Sequence, residues 1–266
     1  MKIALAAVIT VFWCTMMGIL VRREVLPTLQ KGTTLTYRTL LAWTEFPTVE
    51  KFEIRVGGAP IGTLQTSYQK DGEGGACHIE NILTAKPALT GGLLPLGAAS
   101  AVAQIRAQWT LFLDERLQPA RLSVEAQAPG LGVSRFEAQG WFKENLFLSY
   151  GVNDGPRRAM TLECPPGTLF GLGLGWIGTI RGMRLGQTWN MASVDLLSSF
   201  LSQKMSTQVI LFEVASFEKR PIDGKSVPTY TVLARVPGGS VIELWFSELG
   251  ELLRAQVAGM ELVRIL

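Results

Sequence analysis

The sequence predicts a mainly β protein: one large curved antiparallel sheet, a half-barrel or an open barrel, with short helical flaps and one N-terminal transmembrane helix ahead of it. Three observations support this prediction. Stretches of alternating polar and apolar residues, separated by short turn sequences, recur from residue 33 to the C-terminus. Two uncharged, glycine-rich stretches interrupt that alternation, and a run of nineteen uncharged, mainly apolar residues precedes it.

The N-terminal run extends from Ile3 to Val21, with Lys2 before it and Arg22-Arg23 after it. A helix of this length spans roughly 28 Å, about one hydrocarbon core. A cleaved signal peptide would end in a small-x-small site, whereas bulky Ile19-Leu20-Val21 precede Arg22 here. We therefore expect residues 1–23 to be an uncleaved anchor in the inner (cytoplasmic) membrane, with a buried core helix as the alternative.

The charges that flank this run do not decide its orientation. Lys2 and the amino terminus oppose Arg22-Arg23, and Glu24 offsets part of the second pair. An N-terminal anchor ahead of a β-rich domain usually exports that domain. We therefore expect residues 24–266 to form one antiparallel β domain on the periplasmic or extracytoplasmic side.

The composition is that of an ordinary globular chain with a large core. Of its 266 residues, 25 are basic and 22 acidic, a formal net charge of +3, and no basic stripe indicates nucleic-acid binding. The 28 glycines and 13 prolines are scattered as turn residues. Cys14 lies in the predicted anchor, while Cys77 and Cys164 either pair in an oxidising compartment or remain separate buried thiols.

Strands are predicted wherever the alternation persists, and it is clearest at residues 105–113. Short connections predict an antiparallel meander, and the regular spacing predicts a curved sheet, a sandwich or a barrel. Helices of ten to fifteen residues do not alternate with the strands, so an α/β fold is not expected. Residues 194–202 fit either a short amphipathic helix or an edge strand. The other predicted strands are 33–38, 51–56, 61–70, 76–84, 122–128, 133–142, 146–150, 157–163, 207–217, 227–236, 241–246 and 252–263.

Two apolar stretches, residues 87–103 and 165–180, depart from the strand pattern. They are either flexible apolar flaps over a cavity or a membrane surface, or buried segments that plug an open sheet. Their glycines favour the flaps, because glycine weakens a helix by roughly 1 kcal/mol relative to alanine. Trp176 is the residue we most expect at a cavity mouth or a membrane interface. The predicted ligand-binding residues are Leu93, Leu94, Leu96, Phe170, Leu172, Leu174, Trp176 and Ile177.

Residues for catalysis do not converge in the sequence. His78 is the one histidine, and it follows Cys77 in a predicted strand, so their side chains point to opposite faces. The chain has no G-x-S-x-G motif. A zinc site of Cys77, His78 and Cys164 would lack a fourth ligand and the usual spacing. We therefore expect no enzymatic activity, no cofactor and no metal.

Three sequence segments in the C-terminal third resemble a recurrent bacterial envelope domain of unknown function: GQTW at 186–189, GKSVPTY at 224–230 and WFSELGELLR at 245–254. That domain is similar in outline to the lipoprotein-carrier (LolA/LolB-like) half-barrels. The resemblance implies an antiparallel sheet around an apolar cavity that helical flaps close and that carries acyl chains. It covers residues 33–266 in strand order and transfers no ligand-contacting residue. The apparent transmembrane tether departs from the usually soluble or lipid-anchored carriers and favours a fixed acceptor over a shuttle.

These observations predict a membrane-anchored extracytoplasmic protein that binds a lipid or an acyl chain in a β half-barrel cavity without catalysing a reaction. The alternative is a structural or scaffolding subunit of an envelope complex, whose exposed sheet edges add to a partner's sheet. The expected partners are the membrane, the hydrophobic ligand and an envelope protein, and not nucleic acid. The two interpretations differ in whether the inner face of the sheet leaves space or fills it.

Overall fold

The structure is a computed structural model. It describes residues 33–42, 44–71, 75–86, 104–129, 133–164, 168–171, 179–195, 207–222, 224–237, 240–257 and 259–265. The predicted anchor and most of the two apolar stretches lie outside these ranges. Within them, none of the residues form a helix that is long and apolar enough to cross a membrane.

The described residues form sixteen strands and one short helix, α1 (Tyr37–Leu41). The strands are β1 (Thr33–Thr34), β2 (Thr48–Val56), β3 (Ala59–Lys70), β4 (Cys77–Ala85), β5 (Ile105–Leu113), β6 (Pro119–Ala128), β7 (Val133–Phe142), β8 (Leu146–Val152), β9 (Arg158–Leu162), β10 (Leu169–Gly171), β11 (Thr188–Asp195), β12 (Thr207–Ile222), β13 (Lys225–Arg235), β14 (Val241–Ser247), β15 (Leu252–Val257) and β16 (Met260–Arg264).

All strands belong to one sheet, with the linear order β1-β11-β12-β13-β14-β15-β16-β2-β3-β4-β5-β6-β7-β8-β9 and β10 beside β11. Neighbouring strands are antiparallel, except that β1 and β10 both lie parallel to β11. The pairing of β16 with β2, which sets Leu262 opposite Ile54, joins the two halves of the chain. The prediction of one large antiparallel sheet in a mainly β fold is confirmed.

The two edges of the sheet approach each other through the segment between β9 and β11. The ring of Phe170 in β10 packs edge-on against Phe142 of β7, with 4.9 Å between the ring centroids. The Thr207 hydroxyl at the start of β12 donates to the Glu163 carbonyl over 3.2 Å. Because no described strand pairing joins β9 to β1 or β10, the sheet is an open barrel.

The predicted strand 33–38 is wrong in its second half, because the chain turns into helix α1 at Tyr37. Thr36 and Thr39 form a capping box: the Thr36 hydroxyl accepts from the Thr39 N–H, and the Thr39 hydroxyl accepts from the Thr36 N–H. These hydrogen bonds satisfy two N–H groups at the start of the helix. The β-branched residues that favoured a strand therefore act here as helix caps.

Other boundaries differ from the prediction where a turn is short or an alternation is weak. The predicted strand 252–263 is the hairpin β15–β16, which turns at Gly259 with a positive φ of 81°. The predicted strand at 207–217 continues to Ile222. Residues 188–195 form the strand β11. The sequence pattern indicates a strand here only from Val194 onward, as one of the two alternatives for residues 194–202.

Candidate ligand-binding site

The strand directions give the curled sheet two distinct ends. β4, β10 and β11 all run the same way, because an even number of antiparallel steps separates β4 from β11 and β10 is parallel to β11. Residues 86–104, 172–178 and 196–206, which follow these three strands, therefore all start from one end of the sheet. We call it the alanine end, for the inner residues described below. The opposite end, which carries α1 and the turns at 114–118 and 248–251, is the closed end.

Large side chains fill the middle and the closed end of the barrel interior. Trp109, Leu122 and Phe246 are fully buried, and Trp189 stacks on Phe212 with 5.8 Å between the ring centroids. Helix α1 contributes three buried residues to the same core: Tyr37, Leu40 and Leu41. Apart from the polar cavity beside Glu50, described below, this core is densely packed.

Toward the alanine end, small residues occupy the inner positions. Ala107 on β5 lies opposite Ala126 on β6, and Ala234 and Ala255 take inner positions on β13 and β15. Small inward side chains take up less of a barrel interior than large ones would, and Ala107, Ala234 and Ala255 are themselves buried. Several larger apolar residues at this end are only half-buried: Val56, Leu83, Val133, Val236 and Met260.

Phe170 is the one predicted ligand-binding residue that the structure describes. It is 4% exposed, and its backbone N–H donates to the Tyr37 hydroxyl over 2.7 Å. Together with the Phe142 contact, this hydrogen bond fixes Phe170 in the core where the sheet edges meet. The other predicted residues lie outside the described ranges. They are Leu93, Leu94 and Leu96 between β4 and β5, and Leu172, Leu174, Trp176 and Ile177 between β10 and residue 179.

A buried carboxyl group lies near the closed end, at Glu50 on β2. Glu50 is 4% exposed, and the Tyr68 hydroxyl donates to its Oε2 over 3.3 Å. Arg264 Nη2 lies 3.7 Å from Oε1. Burial raises the pKa of Glu50, and the Arg264 guanidinium and the Tyr68 hydroxyl oppose part of that rise. The predicted strand began one residue later, although extending its alternation backward would have placed Glu50 on the buried face.

Glu50 borders a cavity of about 260 Å³ at this end. On its far side, Arg264 Nη1 lies 3.4 Å from Glu251 Oε1, but without hydrogen-bond geometry. The cavity lining is mostly charged or hydroxyl-bearing, which suits water or a small polar molecule and not an apolar chain. The lining residues are Thr44, Glu45, Thr48, Glu50, Tyr68, Thr179, Arg181, Leu249, Glu251 and Arg264.

The turn that supplies Leu249 and Glu251 to this cavity packs tightly on residues 179–181. The Ile180 N–H donates to the Gly250 carbonyl over 2.8 Å. Gly250 has a φ of +82°, and a Cβ added there would lie 2.0 Å from the Ile180 carbonyl oxygen. Glycine is thus required at residue 250 both by the backbone conformation and by the close approach.

The two described cysteines are free thiols, so the disulfide alternative does not hold. Cys77 is buried and Cys164 half-buried. Burial raises the pKa of the Cys77 thiol to about 11 and also raises that of Cys164, so both are mainly protonated near neutral pH. His78 Nδ1 lies 2.8 Å from Asp71 Oδ1 on the outer surface.

Comparisons with known proteins show no family for this chain. No protein-family profile and no curated protein matches the sequence. Among solved structures, the chain is similar to a Brucella abortus protein described as a beta-barrel-like protein of domain of unknown function DUF1849. The two share 9% identity over 82% of this chain and 95% of that one, with a TM-score of 0.46. A likeness at this level transfers no ligand or activity, and the resemblance to lipoprotein carriers stays a prediction.

Proposed function

We propose that this chain is a membrane-anchored extracytoplasmic protein that holds a lipid or an acyl chain inside the alanine end of its sheet and catalyses no reaction on it. The observation that supports this most directly is the contrast between the two halves of the interior. Large aromatic and aliphatic side chains and one polar cavity occupy the closed half, whereas alanines occupy inner positions toward the other end on β5, β6, β13 and β15.

An acyl chain matches the chemistry of the alanine end. The inner residues there are apolar, and several are half-buried, among them Leu83 and Met260. Each methylene group that leaves water for such surroundings stabilises the complex by about 0.8 kcal/mol. The cavity beside Glu50 lacks this character, because charged and hydroxyl groups dominate its lining.

The placement of the first uncharged stretch supports the same end. Residues 87–103 leave the sheet after β4 and return to it at β5, both at the alanine end. The apolar residues of this stretch, including Leu94, are thus tethered where an apolar ligand would enter. In this proposal, residues 1–23 anchor the chain in the inner membrane and keep it a fixed acceptor.

Native mass spectrometry of the full chain, followed by lipid extraction, tests this proposal. Replacing Ala126→Phe adds a large side chain at an inner position, while Gln127→Phe adds the same group to the outer face of the same strand. We expect a stoichiometric lipid adduct on the wild type and on Gln127→Phe, and its loss on Ala126→Phe.

The paired variants separate a bound ligand from lipid that merely surrounds the anchor, since both keep residues 1–23. A bare protein mass for the wild type, or equal lipid retention by both variants, would contradict the proposal. That result would favour the scaffold alternative, for which the edge strand β9, paired in the described sheet with β8 alone, is the candidate contact.

A further inference from the structure

A row of aromatic and basic side chains crosses the outer face of five adjacent strands near the closed end. The strand register sets these residues side by side, so that each lies opposite the next. Two contacts within the row are close: His78 lies 5.8 Å from the Phe112 ring, and the Arg121 guanidinium lies 5.7 Å over that same ring. The row, here called the aromatic row, consists of His78, Phe112, Arg121, Trp141 and Phe147.

The aromatic row is exposed where a sheet in water would carry polar residues. Trp141 is 46% exposed and Phe147, directly opposite it, is 44% exposed. The next outward-facing row toward the alanine end is wholly polar: Glu80, Thr110, Ser123, Gln139 and Ser149. On these five strands, the exposed aromatic side chains therefore lie in one row, near the closed end.

The start of the described chain lies near this row. β1 begins at Thr33, and four residues later the Tyr37 hydroxyl bonds to the Phe170 backbone. Phe170 packs on Phe142, the immediate neighbour of Trp141 along β7. These contacts place Tyr37 on the inner side of the sheet, near the end of the aromatic row that Trp141 and Phe147 form.

Residues 22–32 connect the predicted anchor to Thr33. Eleven residues span at most about 36–40 Å when fully extended. If residues 3–21 cross the bilayer, Thr33 stays within that distance of the membrane.

We propose that the aromatic row rests in the headgroup region of the bilayer that holds the anchor, with the closed end toward the membrane and the alanine end away from it. This inference rests on the proposed anchor. Tryptophan is favoured at membrane interfaces because its ring is amphipathic, and arginine can reach headgroup phosphates while its stem covers apolar surface. The aromatic row supplies both kinds of side chain.

The full chain in nanodiscs of phosphatidylcholine and phosphatidylglycerol provides the test. The three native cysteines are replaced by alanine, and a fluorescent label is attached at Thr161→Cys, which lies in register with Phe147 and leaves the row intact. A second sample carries the label at Glu125→Cys, an outward-facing position two rows toward the alanine end. Lipids brominated on the acyl chain near the headgroup quench a label that lies at the interface.

We expect quenching at residue 161 and none at residue 125. Replacing Trp141 and Phe147 together by serine should abolish the quenching at residue 161. Replacing Val209 and Leu211 by serine should preserve it, because these two residues are also exposed and apolar but lie on β12. Circular dichroism confirms that each variant is folded.

Equal quenching at both positions, or quenching that survives the loss of Trp141 and Phe147, would overturn the proposal. A chain that washes off the nanodiscs would overturn both the row's contact and the anchor. Lipid extraction from the same samples distinguishes the two proposals. Quenching at residue 161, without any bound lipid that Ala126→Phe removes, would support the membrane contact of the aromatic row and contradict the ligand site.

Discussion

At the scale of single residues, the carboxyl group of Glu50 makes stability depend on pH. Burial raises its pKa above the ordinary value of 4.5 in the folded chain, although the Arg264 guanidinium opposes part of that rise. The folded chain therefore holds this proton more tightly than the unfolded chain does. The stabilisation is complete below about pH 4.5 and is lost as the pH rises through the folded-state value.

Glu50→Gln should remove this decline, because the amide keeps the shape of the side chain and does not ionise. Urea unfolding at a series of pH values from 4.5 upward measures the free energy of unfolding of both proteins. The stability of the variant relative to the wild type should increase with pH. The same change at Glu248, an exposed residue of the 248–251 turn, is the matched control. It should leave the dependence of stability on pH as it is in the wild type. A Glu50→Gln profile that runs parallel to the wild type would contradict the assignment.

Glu50 and Gly250 also show which residue-level features the sequence can predict. Alternation along β2 places Glu50 on the same face as Phe52 and Ile54, so the sequence pattern can predict that Glu50 is buried. Its partner Arg264 lies more than two hundred residues away and meets it only because β16 pairs with β2. The need for glycine at residue 250 likewise comes from the distant Ile180, which no local pattern indicates.

At the scale of elements, one hydroxyl group ties α1 to β10. The Tyr37 hydroxyl accepts from the Phe170 N–H over 2.7 Å and lies 3.3 Å from the Phe170 carbonyl, to which it can donate. β10 lies beside β11 alone among the described strands, so Tyr37 serves backbone groups that a further strand would otherwise pair. This link holds the strand from which residues 172–178 depart.

Tyr37→Phe should lower the free energy of unfolding by about 1–3 kcal/mol, the usual cost of a buried backbone donor that loses its partner. It should also speed hydrogen exchange of the Phe170 amide. Tyr230→Phe is the matched control, because the described contact of Tyr230 is the packing of its ring on Phe217. Equal exchange at Phe170 in the wild type and in Tyr37→Phe would show that the hydroxyl does not hold β10.

The elements that the sequence predicted well are those with long, regular alternation. β5 and β7 begin and end where expected, because their inward residues, such as Trp109 and Leu111, alternate with outward residues that are polar except for Phe112 and Trp141. The helix at Tyr37 was missed because it depends on hydrogen bonds between Thr36 and Thr39, and not on composition. β10 was missed because three residues inside an apolar stretch show no period.

At the scale of the whole molecule, the sheet has one end with large core side chains and a polar cavity, and one alanine-lined end. This division is the basis of the proposed function. The antiparallel hairpins could be predicted from their short turns. The β16–β2 pairing and the parallel β1 and β10 could not, because they join residues that lie far apart in the chain. The predicted site therefore named Phe170, which packs in the core, and omitted Ala107, Ala126, Ala234 and Ala255, whose shared end appears only once the sheet is assembled.

Photo-crosslinking with a phospholipid that carries a diazirine on its acyl chain tests the central claim most directly. The full chain is loaded with this lipid, irradiated and digested, and the modified residues are located by mass spectrometry. The account predicts crosslinks on inner residues of β5, β6, β13 and β15 near the alanine end. Crosslinks confined to residues 1–23 and to the aromatic row would show that lipid touches the protein only from outside, and would contradict the account.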